Sequence, residues 1–405
     1  MNKGVLSRDN IRSIWRRFVQ KLGVDPWMML IVASMTIFGM IMVFSSSWEV
    51  SYQYLGDPYA LFRKQLLHLG MGFVVLLIAT VFPLSFLRRL ALPIMVFSIA
   101  TLFFVLLIPG SDGPRRAFLE GSVQPSELAK LAVIIYLAAW MESKGERIQK
   151  WEYGFIPLMG IIAVVAALIL KQPDLSAALT ITMVALVMFY IAGASIVQTI
   201  SIVLGGAGVG LLLVRITSTG RARWQDYLAG LVNIEEASYH VQRSLQAFYT
   251  GGIFGRGLGS SREKFGLLPV PHTDSVFAVV GEELGLIGAI MVLGLFTAFV
   301  WRGFLISTEA KDRFSMLVAS GIAFWVGIEA LINMSVLLGM LPFAGNALPL
   351  FSYGGSSLLV TLTAIGLLFN VARQKSGQRG RKPDVTTLDI GRRDRRRSLS
   401  RISRS

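Results

Sequence analysis

Several carboxylates of this chain stand at the edge of, or inside, long apolar stretches. Asp274 ends the sequence PHTD at 271–274, and Glu282 and Glu283 follow in the next apolar stretch. A charge at the centre of a bilayer costs at least about 2.5–3.5 kcal/mol, so acids at such positions are rarely accidental. Asp274, near the water boundary, is expected to stay ionised and to be able to act as a base. One of the two glutamates is expected to pair with a cation or to stay protonated.

A second set of polar residues carries positive charge. GPRR at 113–116 contains Arg115 and Arg116, and QPSELAK at 124–130 places Glu127 three residues before Lys130. Residues at this spacing are neighbours on a helix, so an internal ion pair explains the second motif. Alternatively, Lys130 and the two arginines form a cationic site for phosphate. The sequence leaves both hypotheses open.

Two further junctions combine proline, glycine and polar residues. KQPD at 171–174 has a proline suited to a helix start and Asp174 in the expected first turn, so helix capping alone could explain this acid. PLFSYGGSS at 349–357 contains Ser352, Gly354 and Gly355. Such small residues either let helices pack closely in lipid or let the backbone approach a ligand.

The elements that position these residues are predicted to be membrane helices. Apolar residues make up 54% of the 405, and the mean hydropathy is +0.61, which is far from a soluble domain. We predict an all-α polytopic membrane protein with about ten transmembrane helices and one large extracytoplasmic loop, 217–274, between the seventh and the eighth. The expected spans are 27–46, 65–83, 91–108, 127–141, 154–170, 175–192, 197–215, 275–300, 314–338 and 354–372.

Lysine and arginine set the expected orientation. With both termini in the cytoplasm, the cytoplasmic segments hold 26 basic residues against 5 in the short opposite loops, and most of the excess lies in the two tails. We expect a basic cytoplasmic arm at 1–26, a membrane domain at 27–372 and a disordered basic cytoplasmic tail at 373–405. The tail directly follows a span, which favours anionic lipid headgroups over nucleic acid as its partner.

Composition also excludes several classes of chemistry. The chain has no cysteine, which excludes disulfides and thiol catalysis. Its three histidines argue against a histidine metal cage. The spacing GxGxG at 255–259 lies in the expected external loop without a βαβ unit, so it does not indicate nucleotide binding.

Together the motifs resemble those of the SEDS family (shape, elongation, division and sporulation proteins). The matching sequences are QPSE at 124–127 with Lys130, QPDL at 172–175, HTD at 272–274 with EELG at 282–285, and LPL to SYGGS within 348–356. The resemblance extends from residue 25 to 374 in the same order and spacing. It implies a peptidoglycan glycosyltransferase that polymerises lipid II at the outer face of the bacterial cytoplasmic membrane.

Within the family, SLQAF at 244–248 and the glycine-rich segment 251–259 are more similar to the division branch, FtsW, than to the elongation branch, RodA. This implies a role at the division septum, with an elongation-type polymerase as the alternative. Three positions depart from the usual pattern: Ala117 replaces a common tryptophan, and Arg243 and Glu329 each replace a frequent glutamine. None of the three removes a predicted catalytic group.

Polymerisation of lipid II requires a sugar hydroxyl to attack an anomeric carbon that bears a lipid pyrophosphate, so the site needs a base and cations. Asp274 is the predicted base. The predicted pyrophosphate ligands are Arg115, Arg116 and Lys130, with Arg243 as a weaker addition from the long loop. The predicted site also includes Glu127, Ser352, Gly354 and Gly355 for substrate, and Asp174, Glu282 and Glu283 as supporting acids. The sequence identifies no cofactor and leaves a metal open: Mg²⁺ or Mn²⁺ could share the pyrophosphate charge, but the sequence contains no metal-ligand motif.

The resemblance implies a class B penicillin-binding protein, a single-span transpeptidase, as partner, together with other division proteins of the membrane. Two rival functions stay open. A lipid II flippase would be favoured by helices that break near mid-span, and a non-catalytic division scaffold would need neither Asp274 nor the cations. The polar motifs lie at the outer ends of the predicted helices, which favours chemistry at the membrane surface.

The orientation gives a direct test. Protease added to sealed right-side-out vesicles is expected to cut the 217–274 loop and to spare the tail after residue 372, which tags at both termini would reveal on a gel. Cleavage of the tail instead would invert the topology and put Asp274 in the cytoplasm.

Overall fold

The computed structural model of the protein describes residues 23–108, 124–172 and 174–379. Arg115 and Arg116 lie outside these ranges, as do the arm up to residue 22 and the tail from residue 380. The described part contains twelve α-helices and no β-strand. They are α1 Pro26–Leu55, α2 Ala60–Val81, α3 Leu84–Leu107, α4 Pro125–Lys144, α5 Ile156–Leu170, α6 Leu175–Ile191, α7 Ile196–Ile216, α8 Ser218–Val232, α9 Tyr239–Gly251, α10 Val276–Thr308, α11 Arg313–Leu337 and α12 Gly355–Arg379.

Each of the ten predicted spans coincides with one of these helices. Seven helical segments in the described part are long and apolar enough to cross a membrane, namely α1, α2, α3, α5 with the turn before it, α10, α11 and α12. α6 and α7 are apolar but shorter, and α4 carries Glu127 and Lys130 in its first two turns. The all-helical multi-pass class is therefore confirmed, while the exact count of ten remains a prediction.

α11 lies inside the bundle and packs against α4, α6, α9, α10 and α12. In its most apolar stretch 78% of the residues are buried, against 28% in α10. On the outer helices large apolar side chains remain exposed, among them Ile37, Leu67 and Phe97. Because a water-soluble protein rarely exposes continuous apolar faces, these side chains are expected to face lipid.

The ends of the helices form two polar layers. At one end, which we call the Asp25 end, Arg302 Nε donates to Asp25 Oδ1 at 2.9 Å, and Arg88 pairs with Glu142 at 2.9 Å. At the opposite end, the Asp274 end, the starts of α4, α6, α10 and α12 meet the end of α11 and the connection 338–354. All predicted site residues that the structure describes lie at or near this second end.

The long connection 217–274 contains more structure than the sequence indicated. We predicted a polar loop, but it includes two helices, α8 and α9, joined by a short turn at Ile234–Glu236. Thr217 caps α8 by accepting a hydrogen bond from the N–H of Gly220 at 3.2 Å. α9 packs against α10, which brings the glycine-rich segment 251–259 to the side of that membrane helix.

α10 is broken at Gly285, where we predicted one continuous span. Gly285 adopts φ 67° and ψ −161°, a conformation that glycine alone adopts readily. The segment 251–257 lies along the break: Leu286 N donates to Gly252 O at 2.9 Å, and Gly257 N donates to Glu283 O at 2.9 Å. The helical hydrogen bonds that the break removes are thus replaced by bonds to the loop.

The close approach of two backbones at this break is testable through Gly255. Its φ is +76°, and a Cβ there would lie 2.2 Å from the carbonyl oxygen of Glu283. Gly266 in the same connection has φ +77° but open space around it, so Gly266→Ala serves as a matched control. Gly266→Ala is expected to cost the left-handed penalty of about 1–2 kcal/mol. Gly255→Ala should lose about 1–3 kcal/mol more.

Thermal unfolding in detergent would measure both variants. Equal stabilities would contradict the close contact between 251–257 and the break in α10.

Candidate active site

Asp274 lies just before α10, which begins at Val276. Its carbonyl oxygen accepts a hydrogen bond from Asn333 Nδ2 at 2.9 Å. Its carboxylate faces the connection 338–354 at Gly345, where an added Cβ would lie 2.7 Å from Oδ2. The absence of a side chain at Gly345 therefore leaves room for the predicted base.

The connection 338–354 is fixed to the residues before Asp274 by short hydrogen bonds. Ser352 Oγ donates to Thr273 O at 2.6 Å and accepts from Leu348 N at 2.7 Å. Tyr353 N donates to His272 O at 2.7 Å. Ser352, predicted as a substrate ligand, thus has a structural function in holding the two chain segments together.

Gly354 and Gly355 lie on the other side of this connection, against α2. Gly354 N donates to Gln65 Oε1 at 3.3 Å, and Gln65 Nε2 donates to Ser352 O at 3.3 Å. A Cβ at Gly355 would lie 2.8 Å from the ring of His68. Close packing therefore accounts for both glycines, and their binding of substrate remains a prediction.

Asp174 connects three elements. We predicted it in the first turn of a helix, but α6 starts at Leu175 and Asp174 is its N-cap, accepting from Ala177 N at 3.1 Å. Its carboxylate also accepts from Gln124 Nε2 at 3.1 Å and from Ser126 Oγ at 3.0 Å. Ser176 Oγ lies 3.0 Å both from this carboxylate and from Gly345 O. The oxygens of Asp174 therefore already accept structural hydrogen bonds. One of the donors, Ser176, also contacts Gly345, the residue that faces Asp274.

Glu282 and Glu283 lie on α10 below Asp274 and are fully buried. Glu283 accepts from Lys264 Nζ at 2.7 Å and from Ser45 Oγ at 2.7 Å. Glu282 accepts from Arg262 N at 2.9 Å and lies 3.5 Å from Arg256 Nη1. We expected one glutamate to pair with a cation; both do, and both bind the segment that precedes Asp274 in the chain.

Glu127, Lys130 and Glu329 form a buried group between α4 and α11. Lys130 Nζ donates to Glu127 Oε1 at 2.8 Å and pairs with Glu329. The pair within α4 is thus present, with a second acid that the sequence did not connect to it. Since two carboxylates already surround this ammonium group, the contacts favour the ion-pair hypothesis, and phosphate binding by Lys130 remains a prediction.

Arg243 lies on α9 with about a third of its side chain exposed. Its guanidinium is 3.8 Å from Glu263 Oε2 and lies over the ring of Tyr239 at 5.2 Å. Burial raises the pKa of the Glu263 carboxyl above its usual range, and the nearby Arg243 opposes that rise. Arg243 and Glu329, which add opposite charges relative to the usual pattern, therefore bind different partners.

Several residues that hold this site together belong to none of the sequence motifs. Gln65 in α2 and Asn333 in α11 bind backbone carbonyls of the connection 338–354, Asn333 through the carbonyl of Asn346 as well as that of Asp274. Ser45 in α1 and Lys264 in the loop bind Glu283. For Gln65, Asn333 and Ser45 the available signal was a polar side chain inside an apolar span, which the membrane makes costly unless it is paired. Lys264, in the loop, had no such signal.

The described side chains do not fit a metal site held by the protein. Within 23–108, 124–172 and 174–379, no group of three or more histidines and acids could hold an ion. Asp174, the acid separated from Asp274 by Gly345, already accepts bonds from four groups. A dedicated Mg²⁺ or Mn²⁺ site is therefore not supported by these residues.

The sequence profile of the FtsW/RodA/SpoVE family, described as cell cycle proteins, matches residues 26–377. The chain belongs to this family. The SEDS resemblance drawn from the motifs is thereby confirmed, and the motifs around Asp174, Asp274 and Ser352 all fall inside the matched region.

Named relatives of this FtsW/RodA/SpoVE protein agree with that assignment. A probable peptidoglycan glycosyltransferase FtsW of Geobacter sulfurreducens is 35% identical over 359 residues, covering 87% of this chain and 96% of the relative. The stage V sporulation protein E of Bacillus subtilis is 36% identical over 368 residues, covering 87% and 98%.

Solved structures share the fold. The rod shape determining protein RodA of Thermus thermophilus superimposes with a TM-score of 0.65 at 27% identity, covering 87% of this chain and 97% of that one. A chain from a peptidoglycan synthase complex, described as coordinating polymerization and crosslinking, gives a TM-score of 0.70 at 28% identity, covering 87% and 98%.

The structural role of Asp174 predicts a specific loss of stability. Asp174→Asn keeps a capping oxygen but replaces the other with an amide donor that faces Gln124, so about 1–3 kcal/mol is expected to be lost. Asp312 caps α11 by accepting from Ser315 N at 2.9 Å. Because asparagine caps helices as well as aspartate does, Asp312→Asn should stay within about 0.5 kcal/mol of the wild type. Matching thermal midpoints for the two variants would show that Asp174 is only a cap.

Proposed function

We propose that this protein is a peptidoglycan glycosyltransferase that polymerises lipid II into glycan strands at the outer face of the bacterial cytoplasmic membrane, with Asp274 as the base. One observation carries the proposal: at one end of the helical bundle, the main chain of Asp274 is bonded to Asn333 of α11, and its carboxylate faces Gly345 of the connection 338–354. The relatives named peptidoglycan glycosyltransferase FtsW support the reaction class.

In the proposed reaction, Asp274 removes the proton from the 4-hydroxyl of the acceptor sugar as that oxygen attacks the anomeric carbon of the donor. The bond from this carbon to the pyrophosphate oxygen breaks, and lipid pyrophosphate leaves as an anion. A single displacement inverts the configuration and needs no covalent nucleophile. Asn333 and Ser352 position the base through the main chain of residues 273 and 274.

The leaving pyrophosphate needs cations that are not already neutralised. Arg243 at the Asp274 end is partly exposed and lies 3.8 Å from its acidic neighbour, a long distance for an ion pair. Arg115 and Arg116 precede α4, whose start is bound to Asp174. We assign the pyrophosphate to these three arginines and a structural role to Lys130.

The break in α10 is a feature that a lipid II flippase could also have. Transporters use the free backbone groups of discontinuous helices to bind their cargo. Here the carbonyls of Glu282 and Glu283 before the break, and the N–H groups of Leu286 and Ile287 after it, are hydrogen-bonded to the segment 251–257. These bonds leave those groups unavailable to a cargo molecule. The contacts therefore favour surface chemistry over transport.

The remaining assignments follow from the family. We propose that the protein acts in septal wall synthesis, since FtsW relatives reach 35–36% identity, with an elongation role as the alternative. Its partner is proposed to be a class B penicillin-binding protein, in line with the solved complex that couples polymerization to crosslinking. Both termini are proposed to lie in the cytoplasm.

The base assignment gives a sharp prediction. Asp274→Asn should reduce lipid II polymerisation at least about 100-fold, the low end for loss of a general base, while insertion and thermal stability remain normal. Asp226→Asn, an exposed aspartate on the same side, is the matched control and should retain full activity. Gel analysis of glycan products from purified protein with its transpeptidase partner would compare them. Near-normal turnover by a folded Asp274→Asn protein would remove Asp274 from the mechanism.

A further inference from the structure

Two aromatic side chains stand together beside Asp274. The rings of His272 and Tyr353 have centroids 5.6 Å apart and are inclined by 59°. The hydrogen bond from Tyr353 N to His272 O, at 2.7 Å, and that from Ser352 Oγ to Thr273 O, at 2.6 Å, fix the pair relative to the carboxylate. His272 is two residues before the base in the chain, and Tyr353 is bonded to the main chain of His272, so both rings have a defined position near Asp274.

One buried polar atom of this pair lacks a hydrogen-bond partner in the described part of the chain. His272 Nδ1 is buried and has no hydrogen-bond partner there. Burial lowers the pKa of the His272 imidazole to about 4, so the ring is neutral at neutral pH. Burial also raises the pKa of the Tyr353 phenol, which keeps its proton. An unpaired buried polar group costs about 1–3 kcal/mol, so a purely structural ring would be better replaced by an apolar one.

The chemistry of the pair suits a neutral, hydroxylated ligand. The face of an aromatic ring carries partial negative charge and attracts the polarised C–H bonds on one face of a sugar ring. A neutral imidazole offers one donor and one acceptor, which match hydroxyl and acetamido groups. A phosphate would instead require positive charge, which a histidine with a pKa near 4 does not provide.

We propose that His272 and Tyr353 form a subsite for the acceptor hexosamine, in which Tyr353 packs against the sugar face and His272 hydrogen-bonds to a hydroxyl or acetamido group. The assignment to the acceptor follows from position, because Asp274 must reach the hydroxyl that it deprotonates. This inference rests on the proposed glycosyltransferase function and adds the residues that orient the acceptor.

Three variants test the subsite in the purified full-length protein with its partner. Tyr353→Leu removes the ring, Tyr353→Phe keeps it, and His272→Phe keeps the ring contact but removes both nitrogens. Tyr249→Leu on α9, at a tyrosine 83% exposed, is the matched control. The lipid II concentration for half-maximal rate should rise about ten-fold for Tyr353→Leu and for His272→Phe, and less than about three-fold for Tyr353→Phe and Tyr249→Leu.

Thermal stability separates a ligand-binding role from a packing role. His272→Phe is expected to unfold at the wild-type temperature or above it, because it removes an unsatisfied buried group. A marked loss of stability with unchanged half-maximal concentration would overturn the subsite and make the pair a packing contact. If Tyr353→Leu fails to fold, Tyr353→Phe and His272→Phe still decide.

A binding measurement keeps this inference distinct from the proposed reaction. Soluble N-acetylglucosamine tetramer should give saturation-transfer NMR signals with Asp274→Asn protein and lose most of them when Tyr353→Leu is added. Binding without any polymerisation by the wild type would overturn the proposed reaction and leave the sugar subsite standing. If the wild type polymerises lipid II but the tetramer signals are equal with and without Tyr353→Leu, the sugar subsite would be overturned and the proposed reaction would stand.

Discussion

Irregular main chain inside a membrane bundle must have its N–H and C=O groups satisfied by the protein itself, and the Asp274 end depends on this constraint. The connection 338–354 has no regular structure, yet side chains of Gln65, Ser176 and Asn333 bind its backbone. Each of these residues comes from a different helix. Three helices are therefore bonded to the same connection near their ends, and Asp274 lies beside it.

Buried charged side chains are likewise paired within the protein. Glu283 pairs with Lys264, and Glu282 pairs with Arg256. Lys130 pairs with both Glu127 and Glu329. Removing one member of such a buried pair commonly costs about 3–5 kcal/mol, because the other charge is left uncompensated. These groups therefore do not serve as freely exchanging ligands. They bind the loop to α10, and α4 to α11, so that Asp274 remains the acid placed at the edge of the connection.

The helices and the location of the chemistry were predictable because both follow from local signals. Long apolar stretches gave ten helices, and proline before an acid marked the starts of α4 and α6. What could not be predicted depends on contacts between distant segments. The break at Gly285 is stabilised by hydrogen bonds to the segment 251–257. The apolar stretch 275–300 alone does not predict that this segment packs against it. The same holds for Glu329, whose partner Lys130 is 199 residues away.

The contact between Ser45 and Glu283, 238 residues apart in sequence, has a consequence for synthesis. Chains grow at about 5–20 residues per second, so α1 would occupy the bilayer for roughly 10–50 seconds before its partner emerges. During that interval the Ser45 hydroxyl lacks this partner. A serine hydroxyl in a helix can bond instead to a carbonyl of its own helix, as Ser46 does to Met42 O at 2.7 Å. α1, which is made long before α10, thus reaches its contact with Glu283 only late in synthesis. In a nascent chain that stops before α10, Ser45 would lack its partner Glu283, and this polar position of α1 would remain open to membrane proteases.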